Sequence, residues 1–203
     1  MREKHEPARA LSTARLLLVP ALITLALTQL RLTRDLLRIS GSEPYEIAWL
    51  VPIFGAYFAW CLADSGETAP APGRLFKSSL LPMALFGAGL CLFHPTSGGM
   101  AAVSLVAIVL IRRAWPHLGT LLLGYALAAR LPVIITMLGA TLNGWETVYD
   151  VSPYSVLAGL LPQLTVWLGF TVVVGSLTGS LTLAVRGWIR DEANPLGGST
   201  TTR

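Results

Sequence analysis

Charge is scarce in this 203-residue chain: Lys, Arg, Asp and Glu together make up 13% of it, against 53% hydrophobic residues. Soluble domains carry about 25% charged residues, so a water-covered surface of ordinary polarity is ruled out. Histidine is scarcer still, and His5, His94 and His117 fall in the N-terminal segment or at the edges of apolar runs. A haem-binding bundle needs its axial ligands inside the helices, and no such pair exists here. His94 with Pro95 and Ser97 reads as a turn at a helix end. Also missing are H-E-x-x-H, a phosphate-cradling glycine loop, a Gly-x-Ser-x-Gly elbow and paired acids within one apolar run. No catalytic residue, metal ligand or cofactor is therefore expected, and the chain does not read as an enzyme. Only two cysteines are present, Cys61 and Cys91. They stand near opposite ends of successive apolar runs, well beyond the roughly 7 Å between Cα atoms that a disulfide tolerates, and are expected as buried small apolar residues.

What the chain has instead is long apolar runs, with a mean hydropathy of +0.62. A spanning helix needs about 20 apolar residues, and candidate runs cover residues 16–30, 46–63, 76–93, 99–111, 118–140 and 159–185. The expected fold is an all-α membrane protein, a bundle of six transmembrane helices. Five spans remain if the short first or fourth run is re-entrant. The organisation is a cytoplasmic N-terminal segment, 1–15, a single transmembrane helical domain, 16–190, and a disordered cytoplasmic tail, 191–203. A charged head precedes the first run, but no small-residue cleavage site follows Leu30, so that run reads as a retained helix. Residues 65–73, rich in Pro, Gly and Ala, form a linker.

Net charge is +4, yet the cations border apolar runs rather than forming a basic face, so membrane topology explains them and nucleic acid does not. With six spans and both termini inside, Arg2, Lys4, Arg9, Arg15, Arg74, Lys77, Arg112, Arg113, Arg186, Arg190 and Arg203 lie on the cytoplasmic side. The outer side holds Arg31, Arg34 and Arg38, which read as snorkelling anchors on an extension of the first helix. Residues 141–158 contain no Lys or Arg but do contain Glu146 and Asp150. Asn143-Gly144 marks a turn there, and Trp145, Tyr149 and Tyr154 suit a membrane interface.

Arg130 stands near the centre of the fifth run. Placing Arg at the middle of a spanning helix costs about 2.5 to 3.5 kcal/mol on insertion scales, so such a residue faces a bundle interior or a wet cavity. In the sixth run Gln163, Trp167, Thr171, Gly175 and Thr178 recur at spacings that hold them on one helix face. Gly175 and Gly179 form a small-xxx-small pair suited to close helix approach. Read antiparallel to the fifth run, Thr171 reaches the depth of Arg130 and Gln163 sits nearer the outside. A substrate-binding pocket of Arg130, Gln163, Trp167 and Thr171 follows, with Asp150 or Glu146 as the counter-charge. Pro132 frees the carbonyl of Ala128, so the alternative is that Arg130 only caps broken backbone. Leu-Val-Pro52 and Leu-Leu-Pro82 stand thirty residues apart, as do Arg-Leu-Pro132 and Leu-Leu-Pro162. That echo would make spans two and three match five and six, the inverted repeat of many transporters.

The string Arg130-Leu-Pro132-Val133, followed by Met137, Asn143, Trp145, Thr147, Tyr149-Asp150, Leu161-Pro162-Gln163-Leu164, Trp167 and Thr171, resembles a group of small uncharacterised bacterial multi-pass membrane proteins. The resemblance covers the last third of the chain. It implies a bacterial inner-membrane location and brings no activity or cofactor. Two functions stand: binding or transport of a small anionic or polar solute through the Arg130 pocket, or service as a non-catalytic scaffold or accessory subunit of a larger membrane complex. The partners are the bilayer, a small anionic solute, and a membrane-protein partner or second copy. A lipid-headgroup enzyme at Arg31, Arg34 and Arg38 lacks a nucleophile.

Overall fold

A computed structural model describes residues 13–38, 47–95, 97–147 and 156–193. Among them there is no strand, and the helices are α1 (Thr13–Leu36), α2 (Leu50–Asp64), α3 (Pro72–Leu92), α4 (Gly98–Ala114), α5 (Pro116–Asn143), α6 (Val156–Leu164) and α7 (Val166–Ala193). Four stretches are long and apolar enough to cross a membrane: α1, α3, α5 and the α6–α7 pair taken as one. At about 1.5 Å per residue, the 15 residues of α2 and the 17 of α4 fall short of a roughly 30 Å hydrocarbon core.

Apolar side chains cover the outer surface as well as forming the core. Leu18, Leu22, Leu81, Leu105, Leu131, Ile135 and Leu181 stand on the outer surface, each more than half exposed, while Thr24, Thr28, Ser79, Ser104, Thr171, Ser176 and Ser180 are buried. Soluble monomers rarely expose contiguous apolar surface on this scale. Lipid tails remove the cost of leucine outside, and buried hydroxyls bond across or along helices. Ser176 Oγ donates to Ser79 Oγ at 3.3 Å, joining α7 to α3.

Local chemistry sets the helix ends. Ser97 caps α4 by accepting the Met100 N–H at 3.2 Å, the turn that His94 and Pro95 lead into. Pro116 opens α5, where its missing N–H is no loss. Gly144, at φ 61°, closes α5 in the left-handed conformation. Trp145 N–H reaches back to the Ala140 carbonyl and Gly144 N–H to Thr141, a Schellman close.

Polar pairs fix which helix ends lie together. Arg38 after α1 pairs with Glu146 after α5 at 3.4 Å. At the other end Arg186 of α7 pairs with Asp64 of α2 at 2.9 Å, donates to the Trp60 carbonyl at 3.2 Å and lies over the Trp60 ring. Glu67 there accepts from Trp115 Nε1 at 3.0 Å and meets His117. The chain therefore runs back and forth, with α1 and α5 parallel. The centre belongs to α7, which packs on α2, α3, α4 and α5. Gly55 of α2 sits against Gly175, while Gly179 faces Ala59 and Leu118, so the small-xxx-small pair is where α2 and α7 meet.

Several expectations need correction. The first run extends as expected, since α1 has 24 residues and carries Arg31 and Arg34, but it ends at Leu36, before Arg38. Arg31 is 7% exposed and so is no snorkelling anchor, Arg34 is half-buried, and only Arg38 reaches out. Cys91 is exposed on the outward surface and Cys61 half-buried, both as free thiols. α7 carries on to Ala193, so residues 191–193 belong to a helix, while the rest of the 191–203 tail lies outside the described residues, as do Tyr149, Asp150 and Tyr154. The inverted repeat is not the arrangement found. α5 packs along α7, whereas α2 and α3 make no comparable contact, because α7 has taken the place on α2 that a repeat would give to α3.

Candidate functional site

Arg130 emerges at the midpoint of α5, and Pro132 lies inside the same helix without interrupting it. Its neighbours come from both sides of a one-residue turn, across which Thr165 N–H still donates to the Leu161 carbonyl and Gly169 N–H to that of Thr165, both at 2.9 Å. The chain is helical to Leu164 and again from Val166, with Thr165 between them as a turn. Pro162 cannot donate a backbone hydrogen bond, which weakens the ladder at this point. Gln163 is carried on α6, just before the turn, and Trp167 and Thr171 on α7 after it.

The four residues named from sequence converge. Arg130 Nη1 donates to Gln163 Oε1 at 3.3 Å, and the guanidinium carbon stands 4.3 Å from the centroid of a Trp167 ring. A cation over an indole face gains about 2 kcal/mol or more when desolvated. Trp167 is itself braced edge-on by Phe170 at 5.6 Å. Thr171 is 1% exposed and turns its hydroxyl back to the Trp167 carbonyl at 2.7 Å. It lines a crevice with Arg130, Thr24, Tyr125, Ile47 and Val133.

That crevice measures about 10 Å3, close to the roughly 10 to 15 Å3 that admits one water. The site is closed in this conformation. The expected counter-charges are not drawn in as a pair: Glu146 is exposed and engaged with Arg38, and Asp150 lies outside the described residues. Among the described residues, no cluster of His, Cys, Asp and Glu has the makings of a metal site.

Two site residues escaped the sequence reading. Tyr125 is 2% exposed, packs edge-on against Phe54 at 5.1 Å and Phe58 at 5.9 Å, and shares a 3.0 Å hydrogen bond with Thr24 of α1. The signal for Thr24 was present. The buried face of α1 reads Leu16, Pro20, Thr24, Thr28, Arg31, a helical period on a face occupied mostly by polar residues. For Tyr125 the only sign was a hydroxyl inside an otherwise apolar run. A double-mutant cycle of Thr24→Val and Tyr125→Phe, read from thermal midpoints in detergent, should return a coupling of about 0.6 kcal/mol and at most about 1.7. A coupling of zero would mean that the two hydroxyls satisfy themselves elsewhere.

Fold and site together define the class: among the described residues, an all-helical protein with four stretches long and apolar enough to cross a membrane and a polar cluster around a mid-helix arginine. Comparison with known protein families, characterised proteins and solved structures gave no match.

Proposed function

We propose that this chain is a six-span protein of a bacterial inner membrane, with both termini cytoplasmic, that binds and transports a small anionic or polar solute at Arg130, Gln163, Trp167 and Thr171. The observation that supports the reading is the convergence on the mid-helix Arg130 guanidinium of Gln163 and Trp167, which flank the turn at Thr165. Interrupted helices at mid-depth are where transporters hold their solutes. Arg130 supplies the charge, Gln163 a polar group that can reorient, and Trp167 a stacking wall. A solute enters when the α6 segment shifts about Thr165 and Gln163 releases the guanidinium. The short helices α2 and α4 complete the six crossings at the cost of local bilayer thinning, and the excess of Lys and Arg at the end holding Arg74, Lys77, Arg112 and Arg113 supports its cytoplasmic placement.

A second reading has its own support. The crevice of about 10 Å3 suits a scaffold in which Arg130 ties α5 to the α6–α7 pair and nothing binds. The two separate in a thermal-shift panel of small anions and polar solutes on purified protein and on the Arg130→Lys and Arg130→Ala variants. The transport reading expects at least one solute to raise the midpoint of the parent and neither variant to respond. Identical responses in all three proteins would end it.

A further inference from the structure

The outward row of α2 is short and aromatic. Trp49, Ile53, Tyr57 and Trp60 follow one another at spacings that keep them on one helix face, and all four are exposed. Trp49 precedes Leu50 in helical conformation, at φ −66° and ψ −17°, so it belongs to the same row. From Trp49 to Trp60 the helix rises about 17 Å. Trp gathers at the two interfaces of a bilayer, which an ordinary hydrocarbon core holds about 30 Å apart. Polar groups set both Trp residues at such a boundary. Trp49 lines one cavity with Arg31 and Arg34 of α1, and Trp60 lies against the Arg186 guanidinium that pairs with Asp64 at 2.9 Å. The Asp64 side chain is 68% exposed, one turn beyond Trp60, and it is too short to snorkel as Lys and Arg do. Nor can α2 slide along α7 to suit a thicker layer, since Gly55 is seated against the Gly175 backbone. On α4, residues 98–111 between the Ser97 cap and the exposed Arg112 carry no charge and rise about 21 Å. With 28 residues, α5 is long enough for an ordinary core, so the apolar height of the bundle is uneven and falls at α2 and α4.

We propose that the Trp49–Ile53–Tyr57–Trp60 face of α2 is a docking surface for short-chain phospholipid, so that this chain settles in a bilayer thinner than the ordinary core of about 30 Å. The proposal rests on α2 crossing the membrane, as the six-span reading has it, and is independent of solute binding at Arg130. Short acyl chains cover Ile53 and Tyr57, bring headgroups level with both Trp residues and leave Asp64 in water. Longer chains would draw Asp64 or the Trp49 end into hydrocarbon, or the bilayer would have to thin around α2 at a cost that rises with each ångström of mismatch. A second copy of the chain is the competing occupant of the face. The order of residues favours lipid: Trp stands at both ends of the row with Ile53 between, whereas the aromatic anchors of a protein contact cluster near its centre.

The test follows the thermal midpoint of the full chain in vesicles of dimyristoleoyl, dioleoyl or dierucoyl phosphatidylcholine, which share a headgroup and differ in thickness. The midpoint should fall as the chains lengthen. Trp49→Leu combined with Trp60→Leu should narrow the spread between the thinnest and thickest bilayer by about half. Trp188→Leu, which removes an exposed Trp from α7, should leave the spread whole. Ile53→Cys in a Cys61→Ala, Cys91→Ala background should stay monomeric under oxidation. Equal midpoints in the three bilayers, a spread untouched by the double variant, or disulfide-linked dimers of the Ile53→Cys protein would overturn the proposal. Leu37→Cys and Thr68→Cys, which flank α2 in the chain, should react with an impermeant thiol reagent from opposite sides of the vesicle. Reaction from one side would overturn the six-span reading and this inference with it, whereas opposite sides with equal midpoints would overturn this inference alone.

Discussion

Gly55→Ala should destabilise the bundle by about 1 to 3 kcal/mol, the range for adding a methyl group where no space exists. The added Cβ would stand 2.5 Å from the carbonyl oxygen of Gly175 and 2.6 Å from its Cα. Backbone cannot swing aside, so α2 and α7 must separate along the interface that organises the fold. Gly175→Ala should cost less, since its Cβ meets the Leu122 side chain, which has other rotamers. Gly87→Ala on the outward face of α3 meets nothing within 4 Å and should gain about 0.5 to 1 kcal/mol from helix propensity. Thermal midpoints in one detergent check the order. If Gly55→Ala matches Gly87→Ala, the α2–α7 contact is not as close as described.

Arg130→Met should leave stability almost unchanged while abolishing any response to solute. The magnitudes decide this. Removing the guanidinium relieves an insertion cost of about 2.5 to 3.5 kcal/mol but forfeits a cation–π contact of about 2 kcal/mol and a charged hydrogen bond worth about 1.5 to 3. The sums offset each other to within a few kcal/mol, and replacing a buried charge by an apolar side chain of similar length is often neutral. Methionine also fills the volume, which separates loss of charge from loss of packing. A fall in midpoint as large as that of Gly55→Ala, with solute responses intact, would instead make Arg130 a structural tie.

Helix locations were legible in the chain because apolar run length is a local property, and every run read from sequence coincides with a helix. The fold class and the convergence on Arg130 rested on two such local signals, one charge in an apolar run and one polar stripe at helical spacing. Their depth agreement followed from helix rise alone. Beyond the pairing of α5 with the α6–α7 stretch, helix partners were not legible. Gly55 gave no sign that it would meet Gly175, since contact between distant helices depends on shape at both surfaces, and the proline echo misled because prolines mark helices rather than pairings. Arg31 was read as a surface anchor because sequence spacing says that arginines share a face without saying which face is covered. The Thr24–Thr28–Arg31 period is the local sign of that cover, weaker than the apolar signal of the same helix.

Solute binding at Arg130 requires that the space around it open to water. Val133 lines the crevice and is 6% exposed, and it takes no part in holding the guanidinium. Val133→Cys in a Cys61→Ala, Cys91→Ala background, reconstituted in vesicles, can be challenged with a charged thiol reagent that does not cross membranes. Labelling of the folded protein, slowed by the solute that shifts the parent's midpoint, is the predicted result. A thiol that reacts only after the protein is unfolded would show a sealed interior and contradict the claim that Arg130 serves a binding site.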